Sequence, residues 1–175
     1  MKLGYFGALT WAMKWLADQP STLFLGQSVA YPGQRAHDTF KSVPMEKRIE
    51  LPIAEDFSVG LCTGLSLQGF LPILFLPRWD FTIIAANQIL NHLDKIPLLG
   101  DFHPKVIIRT AVGASRPIDP GPQHTNDYTQ FFRRVCRTIR IEELNKAEDV
   151  ILAYKRALAM PRSTIIVEKM ELYGT

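Results

Sequence analysis

The sequence predicts an α/β fold three layers deep: a doubly wound, mainly parallel sheet with helices on both faces. Three observations predict it. Short, continuously apolar runs such as Leu23-Phe24-Leu25 and Ile73-Leu74-Phe75-Leu76 read as strands buried on both sides. Segments with apolar residues at helical spacing separate those runs. The 175 residues, 47% of them hydrophobic, fit one domain with a sizeable core.

Each element follows from local pattern. Leu9, Met13 and Leu16 recur at helical spacing, so a first amphipathic helix is expected over about 7–18. The strand 22–25 comes next, followed by a Gly-, Pro- and polar-rich loop over 26–43. A short strand over 48–51 ends at Pro52. A helix over 56–68 stops at Gly69, and the strand 72–76 stops at Pro77. A single helix is expected over 81–95, with Ile84, Ala85, Ile89 and Leu93 as its core face. Then come the strand 105–110, the Pro/Gly loop 116–122 and a helix from about Asn126. A strand over 138–141, a helix over 146–160 and a strand over 163–167 complete the pattern. Residues 1–175 therefore read as one domain, without internal repeats.

Composition narrows the function classes. A net charge of +3 is too small to argue for nucleic acid. The cluster Arg133, Arg134, Arg137 and Arg140 reads as a solvated face. Cys62 and Cys136 form no Cys-x-x-Cys pair, so no disulfide framework is implied and a reduced, cytoplasmic setting is expected. The four histidines, at 37, 92, 103 and 124, lack metal-ligand spacing, and no protein-built metal site is expected. Lys2 with the apolar Leu3–Met13 segment resembles a signal peptide, but Lys14 and Asp18 interrupt it. No run reaches the ~20 apolar residues of a membrane span.

In parallel sheets, ligands bind beyond the carboxyl ends of the strands. The loops after Leu51, Leu76 and Thr110 are therefore the informative ones. They read Leu51-Pro52-Ile53-Ala54-Glu55-Asp56-Phe57-Ser58-Val59-Gly60, Arg78-Trp79-Asp80-Phe81 and Pro120-Gly121-Pro122-Gln123-His124-Thr125. Gln88, Asn91 and Lys95 follow on the next helix. Together these segments resemble the N-terminal, pyrimidine-binding domain of the beta subunit of thiamine-diphosphate-dependent 2-oxoacid dehydrogenases, a module shared with transketolases. The likeness runs from the first helix to Val167–Tyr173.

The resemblance implies a division of labour. One domain holds the cofactor's aminopyrimidine; a partner, an alpha-type subunit, holds the diphosphate through magnesium. This chain looks like the first. The Gly-Asp-Gly segment expected of the second is absent, as is a C-terminal transketolase-type domain. The implied roles are specific. Glu55 would hydrogen-bond a ring nitrogen of the pyrimidine, favouring the tautomer that deprotonates the thiazolium carbon. Phe81 would stack on the ring, Ile53 would line the same pocket, and His124 would reach the substrate or the next carrier. Each has a plainer reading. Glu55 is also a helix N-terminal acid favoured by the dipole. Phe81 and Ile53 also suit ordinary packing, and His124 also suits a turn.

Gly60 and Gly64, four apart, match a helix that the family uses at its subunit interface; packing against the chain's own sheet competes with that. Arg78-Trp79 departs from the family's smaller residues and is expected to reshape the substrate pocket. Gly26-Gln27-Ser28-Val29 stands where acidic residues are common. The implied function is a subunit of a two-component thiamine-diphosphate enzyme, inert alone, that activates the cofactor for 2-oxoacid decarboxylation and acyl transfer to a lipoyl carrier. It would work as a homo-dimer or within a hetero-tetramer. A split transketolase-like enzyme and a non-catalytic scaffold that kept the fold are the alternatives.

Overall fold

A computed structural model describes residues 3–113 and 119–174. Residues 116–118 of the Pro/Gly loop, and Lys2, lie outside them. Six strands form one sheet: β1 (Thr22–Gly26), β2 (Arg48–Glu50), β3 (Leu71–Phe75), β4 (Ile107–Val112), β5 (Arg140–Glu143) and β6 (Thr164–Lys169). Their order is β2-β1-β3-β4-β6-β5, and every pairing is parallel. Among the described residues the α-helices are α1 (Tyr5–Ala17), α2 (Glu55–Leu67), α3 (Ile96–Leu99), α4 (Thr129–Val135) and α5 (Ala147–Ala159).

The apolar runs explain the three layers. Successive strand residues point to opposite faces, and both faces here are dry. Phe24, Ile73, Phe75, Ile107 and Ile166 pack with α1 and α5. Their neighbours Leu25, Leu74, Ile108, Ile165 and Val167 pack with α2, α4 and the 79–93 segment. The expected doubly wound architecture is observed.

The segment over 81–95 departs from expectation. It is a 3-10 turn (Trp79–Ile83) followed by a π-helical stretch (Gln88–Leu93), in which the Asp94 N–H donates to the Ile89 carbonyl. Each change of winding rotates the side chains away from a 3.6-residue phase. Ala85, Ile89 and Leu93 remain buried, whereas Ile84, expected in the core, is 63% exposed.

Candidate functional site

The strand order reverses beside β1: β2 lies on one side of it and β3 on the other. The crevice at such a switch point is where open α/β sheets bind ligands. Gln27 leaves β1 there, Glu55 follows β2, Arg78–Phe81 follow β3, and His124 lies in the loop after β4. Since β2, β1, β3 and β4 are consecutive in the sheet, these four loops share one edge.

Glu55 is the first residue of α2 and only 2% exposed. Its Oε1 accepts a 2.9 Å hydrogen bond from Gln27 Nε2. Among the described residues its Oε2 has no partner. That oxygen is not sealed in the interior, so water or a ligand can reach it.

Gln27 is aimed by an unusual stretch of backbone. Gly26 has φ +136°, and a Cβ there would collide with the Phe75 carbonyl of the neighbouring strand. Ser28 has φ 57°, the left-handed region that non-glycine residues rarely occupy. The Glu50 carboxylate, at the end of β2, gathers the N–H groups of Ser28 (2.5 Å), Val29 (3.0 Å), Ala30 (2.8 Å) and Tyr31 (3.3 Å). A single acid thus fixes the exit of β1.

On the other side of the crevice, the half-buried Phe81 ring meets the His124 ring edge-on, at 5.7 Å between centroids and 87° between planes. Arg78 Nη1 donates to the His124 carbonyl at 2.9 Å. A Cβ on Gly113 would strike that same carbonyl, so glycine is required for the loop to lie so close. Asn126 Nδ2 donates to Asp80 Oδ1 (2.6 Å) and to the Pro122 carbonyl (2.8 Å), tying the loop to the 3-10 turn. Among the described residues, two buried atoms at this edge, His124 Nδ1 and Asp80 Oδ2, have no hydrogen-bond partner.

Past His124, burial pushes the Asp127 carboxyl up, but bonds from Thr129 and Lys169 outweigh it and hold it below its usual range. Lys169 Nζ lies 3.0 Å from Asp127. Burial pushes the Cys62 and Cys136 thiols up to about 12, so neither is a thiolate at neutral pH.

The structure therefore pairs Phe81 with His124 and buries Glu55 beside Gln27. Ile53, 83% exposed, lies outside the core on the rim of the same edge. Trp79 corrects an expectation. It is fully buried, stacked on Phe132 at 4.8 Å, and donates from Nε1 to Thr129 Oγ1. Its bulk fills the core rather than the pocket, while Arg78 serves as a clamp on the His124 loop. A Cβ on Gly60 would rest against the chain's own Gln88, whereas one on Gly64 would meet open space. Sequence reasoning noticed Gln27 only as a departure. Its signal was the preceding Gly26, a residue that permits the required φ.

No family model matches the chain. Curated relatives do. The pyruvate dehydrogenase E1 component subunit beta of Drosophila melanogaster is 24% identical over 165 residues, 91% of this chain and 44% of that protein. The corresponding subunit of Ascaris suum is 28% identical over 127 residues, 71% of this chain and 34% of that one. Its homologues are pyruvate dehydrogenase E1 beta subunits. The chain spans less than half the length of these relatives. Among solved structures, a split-gene transketolase in an inactive beta4 tetramer has a TM-score of 0.72 at 19% identity, covering 95% of this chain and 51% of that one. A transketolase from Campylobacter jejuni gives 0.76 at 13% identity, covering 94% and 25%. These neighbours share the fold expected from the sequence. Both matched beta subunits are described as mitochondrial. Among the described residues of this chain, no helix is long and apolar enough to cross a membrane.

Proposed function

We propose that the chain is the pyrimidine-binding subunit of a two-component, thiamine-diphosphate-dependent 2-oxoacid dehydrogenase. The observation that carries this reading is Glu55: a buried carboxylate at the switch point of the sheet, with one oxygen held by Gln27 and the other open. That donor set fits an aminopyrimidine. The open Oε2 would meet a ring nitrogen of the pyrimidine and favour the imino tautomer that carries an N–H there, Phe81 offers an aromatic face at the crevice wall, and His124 Nδ1 is a buried nitrogen without a hydrogen-bond partner among the described residues.

Each residue has a task that its setting suits. Glu55 is 2% exposed, and in that setting a hydrogen bond between it and the ring would be strong and would favour one tautomer. The bound cofactor supplies a carbon that becomes nucleophilic when it loses its proton. His124, fixed through its backbone by Arg78 and through its ring by Phe81, faces the reacting substrate and the acyl acceptor, a lipoyl carrier in this reading. Ile53 stands on the rim, where a substrate or the partner chain would cover it. The cofactor's diphosphate and its magnesium belong to an alpha-type partner, in a hetero-tetramer or around a homo-dimer of this chain. The inactive beta-only assembly of the split-gene transketolase is in keeping with a chain that is inert alone.

The test is reconstitution. The chain alone should bind thiamine diphosphate and magnesium weakly and turn over nothing, because a pyrimidine offers few atoms to grip. With its partner, it should exchange the cofactor's reactive C–H and decarboxylate a 2-oxoacid. Submicromolar binding with turnover by the chain alone would sink the two-chain reading. Ketol transfer between sugars without acyl transfer would assign it to the transketolase type instead.

A further inference from the structure

We infer that Gln27 is the positioning residue of the site: its side-chain amide holds Glu55 by Oε1 and leaves Oε2 as the oxygen that meets the cofactor's ring nitrogen. The inference rests on the function proposed above and concerns a residue that motif reading passed over.

Four observations support it. The 2.9 Å Gln27–Glu55 bond joins residues 28 apart in sequence, at the mutual ends of the adjacent strands β1 and β2. It is the only hydrogen bond to the Glu55 side chain among the described residues. Gln27 stands between two positive-φ residues, Gly26 and Ser28. Such backbone persists only where the surroundings impose it, and here the Glu50 carboxylate imposes it through four N–H groups. The chain thus commits one acid, one glycine and one strained serine to aiming a single amide.

The amide chemistry explains the choice. The Gln27 NH2 group donates, carries no charge and does not titrate, so it bonds Oε1 without exchanging a proton with it. An acidic residue at the same place would put two carboxylates against each other, and the pair would keep one proton between them.

The first test needs no cofactor. In the full chain, the Gln27 side-chain amide protons should exchange slowly with solvent and one should resonate downfield. Both features should vanish in Glu55→Leu while the backbone spectrum stays folded. The second uses the assembled enzyme and the exchange of the cofactor's reactive C–H. Gln27→Glu should move the acid limb of its pH profile up by at least about one pH unit, since two carboxylates must then share a proton. Gln27→Leu should slow exchange by about tenfold, the effect of losing one hydrogen bond, without abolishing it. A fast-exchanging Gln27 amide, or an unmoved profile in folded, cofactor-bound Gln27→Glu, would overturn the inference. Failure of the underlying reading looks different: Glu55→Gln then leaves exchange intact while the Gln27 amide signature persists, and the contact is structural.

Discussion

Two buried glutamates in this molecule live under opposite rules. Glu168, at the end of β6, is fully buried and fully satisfied. Arg109 Nε and Nη2 both donate to it, the second at 3.1 Å, and the Tyr173 and Tyr154 hydroxyls donate as well. Arg109 is held in turn by Thr39 at 2.7 Å and lies over the faces of Phe40 and Phe75. Burial works against the Arg109 cation, but Glu168 outweighs it and raises the guanidinium above its ordinary value. Burial, with Glu168 beside it, pushes the Tyr154 and Tyr173 phenols up as well. Glu55 is almost equally buried and has one neutral partner. A carboxylate that closes its own network is architecture. One left half-open at a switch point has room for a ligand, and the contrast between them separates stability from function by measurement.

The largest effect should come from opening the closed network. Glu168→Gln leaves Arg109 as an uncompensated buried cation, and breaking such a pair costs about 3–5 kcal/mol. Urea unfolding of the purified chain reads this directly. A loss below about 1 kcal/mol would mean that the network is not the stabilising device its geometry indicates.

Glu55→Gln should do the reverse. Stability should change little, because Gln27 can re-form a bond to an amide, but exchange at the cofactor's reactive carbon should slow at least about a hundredfold in the assembled enzyme. If Glu55→Gln unfolds the chain instead, the two glutamates are alike and the comparison fails. His124→Ala should be milder. It removes an edge contact to Phe81 and a free ring nitrogen, so the substrate or acceptor step should fall about ten- to hundredfold with cofactor affinity retained. A variant that mainly loses affinity, with turnover intact at saturating cofactor, would move His124 out of that role.

How much of this was legible in the sequence follows from which physics set each feature. The strands were readable because their apolar runs are continuous, which only a sheet covered on both faces permits. The loops that matter were readable because a parallel sheet puts its ligand edge at known positions. Ile84 was misplaced because 3-10 and π winding shift the phase of a pattern that looks regular when written out. Trp79 was expected to reshape the pocket because, with Arg78, it stands just before Asp80-Phe81 in place of the family's smaller residues, while its own burial depends on Phe132, 53 positions later. Gln27 was visible only as an oddity; its meaning needed the Glu50 cradle and the parallel register of β1 and β2.

The smallest effect sharpens the same comparison at the edge of the sheet, where a buried carboxylate meets exposed arginines. Glu142, on the edge strand β5, is a third kind of carboxylate: it is bonded by Arg140 and by Arg156 Nε and Nη2, both at 3.1 Å, with those arginines 38% and 43% exposed. Burial pushes its carboxyl up, but the two arginines outweigh that and hold it below its usual range. A carboxyl lowered in the folded state stabilises above its ordinary value of about 4.3, and that contribution is lost as pH falls through the folded-state value. Water and salt screen the exposed arginines, so the pair should contribute no more than about 1 kcal/mol. The expected result is a Glu142→Gln variant slightly less stable than the parent at pH 7. The two should converge as pH drops below about 4.3, and high salt should narrow the gap at neutral pH. A difference that stays constant down through the acid range would mean that Glu142 acts through packing, as an uncharged side chain of its size would, and that its arginines are incidental.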